Sequence, residues 1–332
     1  MKILKLMPFV LLAALAAANY SCSKDDDVEG SAPTPGTAID EMPTYADLGV
    51  EYPIVRVYGG GGPSMNYSSG RLTGGSYSEF GGGDYEVLSN PLRFVFSRDA
   101  SGSSFFSYTY SNIRVNESGY VVYMELDYDD GEHDTFTITY NDDCRMSEVV
   151  ARFAYNEPGY SESGLARNTF IWDGGRLMTR EEYEEYTWTE DGYTEAGAGG
   201  YTVTYEFASD YPNTGVYYVN DNDILPISTP LIYSGLFGKP ADFLPTSETS
   251  YEYDIVDGEK DIYYGPNKRQ LRTGYENGRV RNHDDLTIVY LGESGVYYAP
   301  ATDAVSRSAV QDDDTDRRPR LARRAARQAA RR

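Results

Sequence analysis

The chain has 332 residues, two His, two Cys and a formal net charge of -23, with 32 Tyr and 33 Gly. So few His and Cys leave little material for a metal centre, a Ser-His-Asp triad or a disulfide framework. The charge is uneven: two Lys lie in residues 1–21 and eight Arg in residues 317–332, with no acid in either, so the part between sets 19 basic residues against all 52 acidic ones and repels nucleic acid.

Lys2 and Lys5 precede an apolar run from Phe9 to Ala18, which ends in small and polar residues before Cys22. Residues 1–21 read as a secretory leader, too short and wrongly flanked for a membrane span. Cys22, Ser23, Lys24, Asp25, Asp26 and Asp27 together resemble the start of mature Bacteroidetes lipoproteins. The resemblance implies lipidation of Cys22, an export signal over Ser23 to Asp27, and an outer-membrane anchor facing the cell exterior. Asn19 stands where those proteins usually carry an aliphatic residue. A Cys22–Cys144 disulfide is the competing use of the same sulfur. Residues 22–44, rich in Pro, Gly and acids from Val28 onward, read as a lipidated cysteine and flexible tether.

From Tyr45 to about 302 the chain alternates. Phe136, Ile138 and Tyr140 share one strand face with Thr135, Thr137 and Thr139 opposite, and Tyr201, Val203, Tyr205 and Phe207 repeat the pattern. Tyr120 to Tyr128, Tyr251, Tyr253 and Ile255, and Leu286, Ile288 and Tyr290 follow it too, which places Glu125, Asp127, Glu252 and Asp254 outside. Corners recur at Ser69-Gly70, Ser118-Gly119, Asp130-Gly131, Asp173-Gly174-Gly175, Asp191-Gly192, Asp257-Gly258 and Asn277-Gly278. The fold class is therefore all-β: a large antiparallel meander of about 15 to 20 strands, which must curl or close to hide its edges. Its outward positions are Thr, Ser, Glu and Asp, so it is soluble rather than membrane-spanning. Thr179 to Tyr186 reads either as one or two helical turns or as a charged edge strand.

Leu231 to Lys239, followed by Phe243-Leu244-Pro245-Thr246-Ser247, interrupts the meander. Its Gly, Leu, Phe and Pro content predicts a loop that folds inward and fills one end of the curved sheet, with a ligand-gating loop as the alternative. This stretch, with Tyr251 to Asp254 and Tyr275 to Val280 after it, resembles DUF4595, a family of Bacteroides-type surface lipoproteins of unknown function. The resemblance implies a barrel-like, porin-like sheet and brings no catalytic residue.

Few constellations carry chemistry. Asp127, Asp129, Asp130 and Asp134 are oxygen-rich enough to consider for calcium, although Glu132 stands where an EF-hand loop needs Gly. Glu181, Glu182, Glu184 and Glu185 supply carboxylates for glycoside hydrolysis by number alone. Trp172 and Trp188 are the candidates for stacking on a sugar. No cofactor and no other metal site is expected. Residues 303–332, acidic and then Arg-rich, read as a disordered tail, with a basic helix as the alternative. The reading as a whole is a non-catalytic binding or scaffold module at the cell surface, with glycan as the named ligand class. A carboxylate-dependent glycosidase and a purely structural surface component are the alternatives.

Overall fold

The computed structural model describes residues 36–58, 62–77, 83–98, 107–129, 131–217, 227–284 and 286–293. The leader, Cys22 with Ser23 to Asp27, Asp130 and the tail from 303 lie outside the described residues.

The described chain starts with β1 (Thr37–Ala38) and continues through β2 (Ile54–Tyr58), β3 (Ser64–Ser68), β4 (Arg71–Tyr77), β5 (Gly83–Leu88), β6 (Arg93–Arg98) and β7 (Ser107–Val115). Next come β8 (Val121–Tyr128), β9 (His133–Tyr140), β10 (Met146–Glu157), β11 (Tyr160–Asp173), β12 (Arg176–Glu190) and β13 (Tyr193–Glu206). An insert carries β14 (Tyr211–Pro212), the helix α1 (Thr229–Ile232) and β15 (Phe243–Leu244). The meander resumes with β16 (Ser247–Val256), β17 (Glu259–Gln270), β18 (Thr273–Glu276), β19 (Arg279–His283) and β20 (Leu286–Tyr290).

From β2 to β13 each strand pairs antiparallel with the next, and β13 passes over the insert to pair with β16. β16 pairs with β17, β18 with β19, β19 with β20, and β20 returns to β2. The two ends of this sequence of ladders are joined covalently. Leu271 N donates to Thr246 O at 2.8 Å on the β16 side, and Asp284 N donates to Arg272 O at 2.7 Å on the β19 side. The chain thus changes partner between Leu271 and Arg272, and among the described residues no ladder sets β17 beside β18. Arg269 straddles the handover, with ion pairs to Glu248 and Asp284, both at 2.9 Å.

The glycine corners behave as their chemistry dictates. Both residues of Ser69-Gly70, Gly174-Gly175, Asp191-Gly192, Asp257-Gly258 and Asn277-Gly278 have positive φ, the requirement of a two-residue type I′ hairpin. Thr179 to Tyr186 lies inside β12, hydrogen-bonded to β11 on one side and β13 on the other. It is neither helix nor edge: its Tyr and Thr content and two flanking ladders outweigh the helical spacing of its tyrosines. Residues 36–44 of the expected tether lie on the domain. β1 pairs with β7, Leu92 N donates to Ile39 O, Tyr45 N donates to Gly70 O, and Met42 is buried.

Alternation of antiparallel strands puts their turns at two ends. The 115–121, 140–146 and 173–176 turns share one end with β1. The 157–160, 190–193 and 256–259 turns share the other. The insert enters from the β1 end and folds into the interior, as its composition predicts: all of residues 227–238 are buried, Leu231, Leu236 and Phe237 almost completely. Three successive turns hold it through backbone bonds: Val121 N to Leu236 O, Lys239 N to Cys144 O, and Asp242 N to Gly175 O. Ser228 is the inner contact, its Oγ 3.0 Å from Tyr108 Oη and 3.3 Å from Tyr110 Oη. Cys144 is a free thiol in one of those turns.

Ladder partners share a face, so the register fixes which residues look inward. Phe136, Ala151, Ala166, Glu184, Gly199 and Asp254 form one inward row across β9 to β16; Ile138, Val149, Asn168, Glu182, Tyr201 and Glu252 form the next. Glu252 and Asp254 therefore face inside, and Tyr251, Tyr253 and Ile255 face out, the reverse of the sequence reading. Tyr253 is nevertheless 1% exposed. Its ring lies over Gly200 under the Lys260 ammonium, 4.1 Å from the ring centre, and Tyr253 Oη donates to Glu181 Oε1 at 2.9 Å. Burial first, and the Glu181 carboxylate next, push its pKa above the ordinary tyrosine value. An aromatic residue buried under charged neighbours on the convex side looks like core in a hydropathy pattern, which is why the face was misassigned. Elsewhere the outward face carries Glu125, Asp127, Thr204 and Glu206, a composition that belongs in water. Among the described residues no helix is long and apolar enough to cross a membrane.

Candidate functional site

β10 to β13 are 12 to 15 residues long, against five to nine for β2 to β8. β9 ends its pairing with β10 at Ala154, and β16 ends its pairing with β13 at Gly199. The remaining tips, residues 155–162 and 186–197, rise past their neighbours as a single-layer flap at the end opposite β1.

The inward face of this flap is aromatic and acidic. Phe153 and Tyr155 come from β10, Tyr160 and Glu162 from β11, Tyr186 and Trp188 from β12, and Tyr193 and Glu195 from β13. Trp188 stands between Glu162 and Glu195 in register. Its ring centre is 5.6 Å from that of Tyr193, at an interplanar angle of 52°, and Tyr193 is 61% exposed. Two glycines keep the strands close and flat: Gly164 faces both Phe153 and Tyr186, and Gly197 faces Tyr186. A Cβ at Gly197 would come within 2.7 Å of Tyr186 Cζ and Oη, so that ring lies across the glycine. Tyrosine hydroxyls are aimed at carboxylates: Tyr155 Oη donates to Glu157 at 3.0 Å and Tyr160 Oη to Glu162 at 2.8 Å. The result is a face of tilted rings in which carboxylates stand beside Tyr155, Tyr160 and Trp188, while Phe153 and Tyr160 are themselves buried.

The other sequence candidates lie elsewhere. Trp172 is at the β1 end, half-buried against the core, where its Nε1 donates to Met146 O at 2.7 Å. It helps line a cavity of about 20 Å³ with Phe170, Leu177, Val216 and Ala241, room for one water. Arg145 lies 5.7 Å from its ring centre and pairs with Asp143 at 3.0 Å and Asp242 at 2.7 Å. The calcium candidates do not converge. Strand alternation turns Asp127 outward, onto His133 Nδ1 at 2.8 Å and Ser111 Oγ at 3.1 Å, while Asp134 faces in and is 1% exposed. Asp129 accepts from Ser107 N at 3.1 Å, and Asp130 lies outside the described residues. Among the described residues no group of His, Cys, Asp and Glu could hold a metal ion. Alternation also splits the glutamates, with Glu181 and Glu185 outward and Glu182 and Glu184 inward.

The register sets Trp188, one of the two stacking candidates, on the same face as Tyr155, Tyr160, Tyr186 and Tyr193, which the sequence does not single out. The available signal is strand length: 14 or 15 residues in β11 to β13, against five to nine in β2 to β8.

No family model matches the chain, and no curated protein matches it. Among solved structures it is similar to a porin-like protein from Bacteroides vulgatus ATCC 8482, with 10% identity and a TM-score of 0.41, over 72% of this chain and 99% of that one. It is also similar to a porin-like protein from Bacteroides uniformis ATCC 8492, with 15% identity and a TM-score of 0.37, over 75% of this chain and 99% of that one. Likeness at these values decides nothing about function.

Proposed function

We propose that this chain is a non-catalytic binding module of the DUF4595 type, held at the outer membrane by a lipidated Cys22 and taking glycan on the inward face of the β10 to β13 flap. The observation that carries the reading is the ringed surface around Trp188 and Tyr193. Flat aromatic faces flanked by carboxylate acceptors suit a sugar ring, which offers C–H faces to aromatics and hydroxyls to acceptors. The orientation agrees with an anchor at Cys22. The described chain begins at residue 36 near the β1 end of the sheet, and the flap rises from the opposite end, on the side away from such an anchor. Single-layer sheet is costly to maintain without a core, and presenting a binding face accounts for its length.

A glycan array probed with a Cys22→Ser protein tests this. Binding that is lost on Trp188→Ala, with an unchanged melting temperature, supports it. An array with no positive feature leaves the purely structural reading, and release of a shorter sugar from any bound glycan would move the chain to the glycosidase class.

A further inference from the structure

The two faces of the flap differ more than alternation alone requires. On the inward face the tip row is Glu157, Tyr160, Glu190 and Tyr193, in register across β10 to β13. The row below is Tyr155, Glu162, Trp188 and Glu195. Rings and carboxylates therefore alternate both across the strands and along them, and neither row holds a Lys, Arg or His. On the outward face the matching rows, from Asn156, Ser161, Thr189 and Thr194 at the tip, hold only Asn, Ser, Thr and Ala. The β12 and β13 half of the pattern is open to solvent: Glu190, Tyr193 and Glu195 are exposed and Trp188 is half-buried.

Such a face suits a cation better than an anion or a neutral group. Glu162, Glu190 and Glu195 are successive diagonal neighbours, about 7 to 8 Å apart at the backbone, and like charges at that spacing repel. Elsewhere on the long strands, acids are already neutralised: Glu148 pairs with Arg167, Glu181 with Lys260 and Glu206 with Lys268. Of the two strongly basic side chains, Arg fits this face. Its planar guanidinium lies on a ring and grips a carboxylate with two N–H groups, where Lys offers a point charge.

The chain itself carries such a ligand. Residues 317–332 hold eight Arg and no Lys, Asp or Glu. Residues 294–316 separate them from Glu293, which is ion-paired to Arg281 on β19. Fully extended, that spacer covers about 75 Å, against about 50 Å for the whole length of β12, so the segment reaches the flap of its own domain.

We propose that residues 317–332 dock on the inward face of the β12 and β13 tips, with Arg side chains on the rings of Trp188 and Tyr193 and against Glu190 and Glu195. Single exposed ion pairs are weak, so the grip comes from several Arg on one tethered segment. The inference stands on the charges and rings of the face and not on the glycan reading. Salt separates the two: it screens the guanidinium contacts and leaves a sugar stacked on a ring in place.

The experiment is photo-crosslinking in the full-length Cys22→Ser protein with Leu321 replaced by p-benzoylphenylalanine, read by peptide mass spectrometry on an equal mixture of isotope-labelled and unlabelled protein. Adducts are expected within residues 186–197 of the same molecule. They should fall about fivefold or more when Glu190→Gln and Glu195→Gln are combined, and likewise for the parent in about 0.5 M salt. Asp84→Asn with Glu86→Gln, two exposed acids on β5, should change nothing. Adducts spread over other acidic surfaces, or an unchanged yield in the Glu190 and Glu195 variant, would overturn the docking and leave the segment a general polycation. Adducts only between labelled and unlabelled copies would overturn docking within one chain, and the absence of any adduct would overturn it outright. If the double variant is misfolded, the adduct map of the parent decides alone.

Discussion

Phe153 and Gly164 stand directly opposite each other on β10 and β11, and the phenyl ring occupies the space that a Cβ on Gly164 would need. The same relationship joins Tyr186 to Gly197, Tyr253 to Gly200 and Tyr85 to Gly75, each a direct cross-strand pair. A glycine weakens a strand by lacking a side chain to pack, and an aromatic partner laid over it restores buried area.

Gly164→Ala should therefore destabilise the domain by about 1 to 3 kcal/mol, since the new methyl overlaps both the Phe153 ring and the Glu185 carbonyl oxygen. Urea unfolding of the single variant and of a Gly164→Ala, Phe153→Ala pair would test it. The second change should cost less in the Gly164→Ala background than alone, because the ring no longer has a flat strand to cover. Strict additivity would contradict the pairing.

The plug is held through a hydroxyl shared by two strands of the wall and the insert. Ser228→Ala removes the Oγ that meets Tyr108 Oη and Tyr110 Oη and keeps the bond from Ser228 N to Tyr110 Oη at 3.1 Å. The expected loss is roughly 0.5 to 1.5 kcal/mol, the net contribution of a buried hydroxyl hydrogen bond. A thermal melt within 1 °C of the parent would show that the contact is not worth its geometry.

The two tryptophans should separate cleanly. Trp172 packs on the core and donates to Met146 O, so Trp172→Ala should cost about 2 to 4 kcal/mol through lost packing and an unpaired carbonyl. Trp188 lies on a single-layer face, so Trp188→Ala should cost under about 1 kcal/mol and act on glycan binding instead. Equal losses in urea unfolding would mean that the flap is part of the cooperative core.

Much of this architecture is legible in the residues. The glycine corners, the inward faces of β9 and β13 and the inward turn of Leu236 and Phe237 follow from local chemistry: positive φ, period-two alternation, and apolar residues between prolines. What the sequence hides is anything set by which strand lies next to which. Tyr253 is buried by Lys260 and Glu181 from other strands, so the face of β16 was misassigned. Asp127 and Asp134, seven residues apart, look like a cluster until the register sends them to opposite sides. The flap aromatics are ordinary alternating tyrosines in the sequence, and only the point at which β9 and β16 stop pairing turns them into a surface.

His283 gives a pH dependence whose sign can be worked out. It is buried between β18 and β20, its Nδ1 3.0 Å from Thr273 Oγ1, and burial first, then the Arg269 guanidinium, lower its pKa to about 4 from 6.5. Below pH 6.5 the unfolded chain takes up a proton that the folded chain refuses. Stability from this group is therefore complete above about pH 6.5 and is lost as the pH falls towards 4. The gap of about 2.5 units corresponds to roughly 3 kcal/mol at most. Carboxylates add their own loss in acid, so the measurement is a difference: urea stability at pH 7 minus pH 4.5, for the parent and for His283→Gln. The variant, with no proton to take up at that position, should lose about 2 to 3 kcal/mol less than the parent. An equal loss in both would mean that His283 is protonated in the folded chain, which would place water or an acid beside its ring.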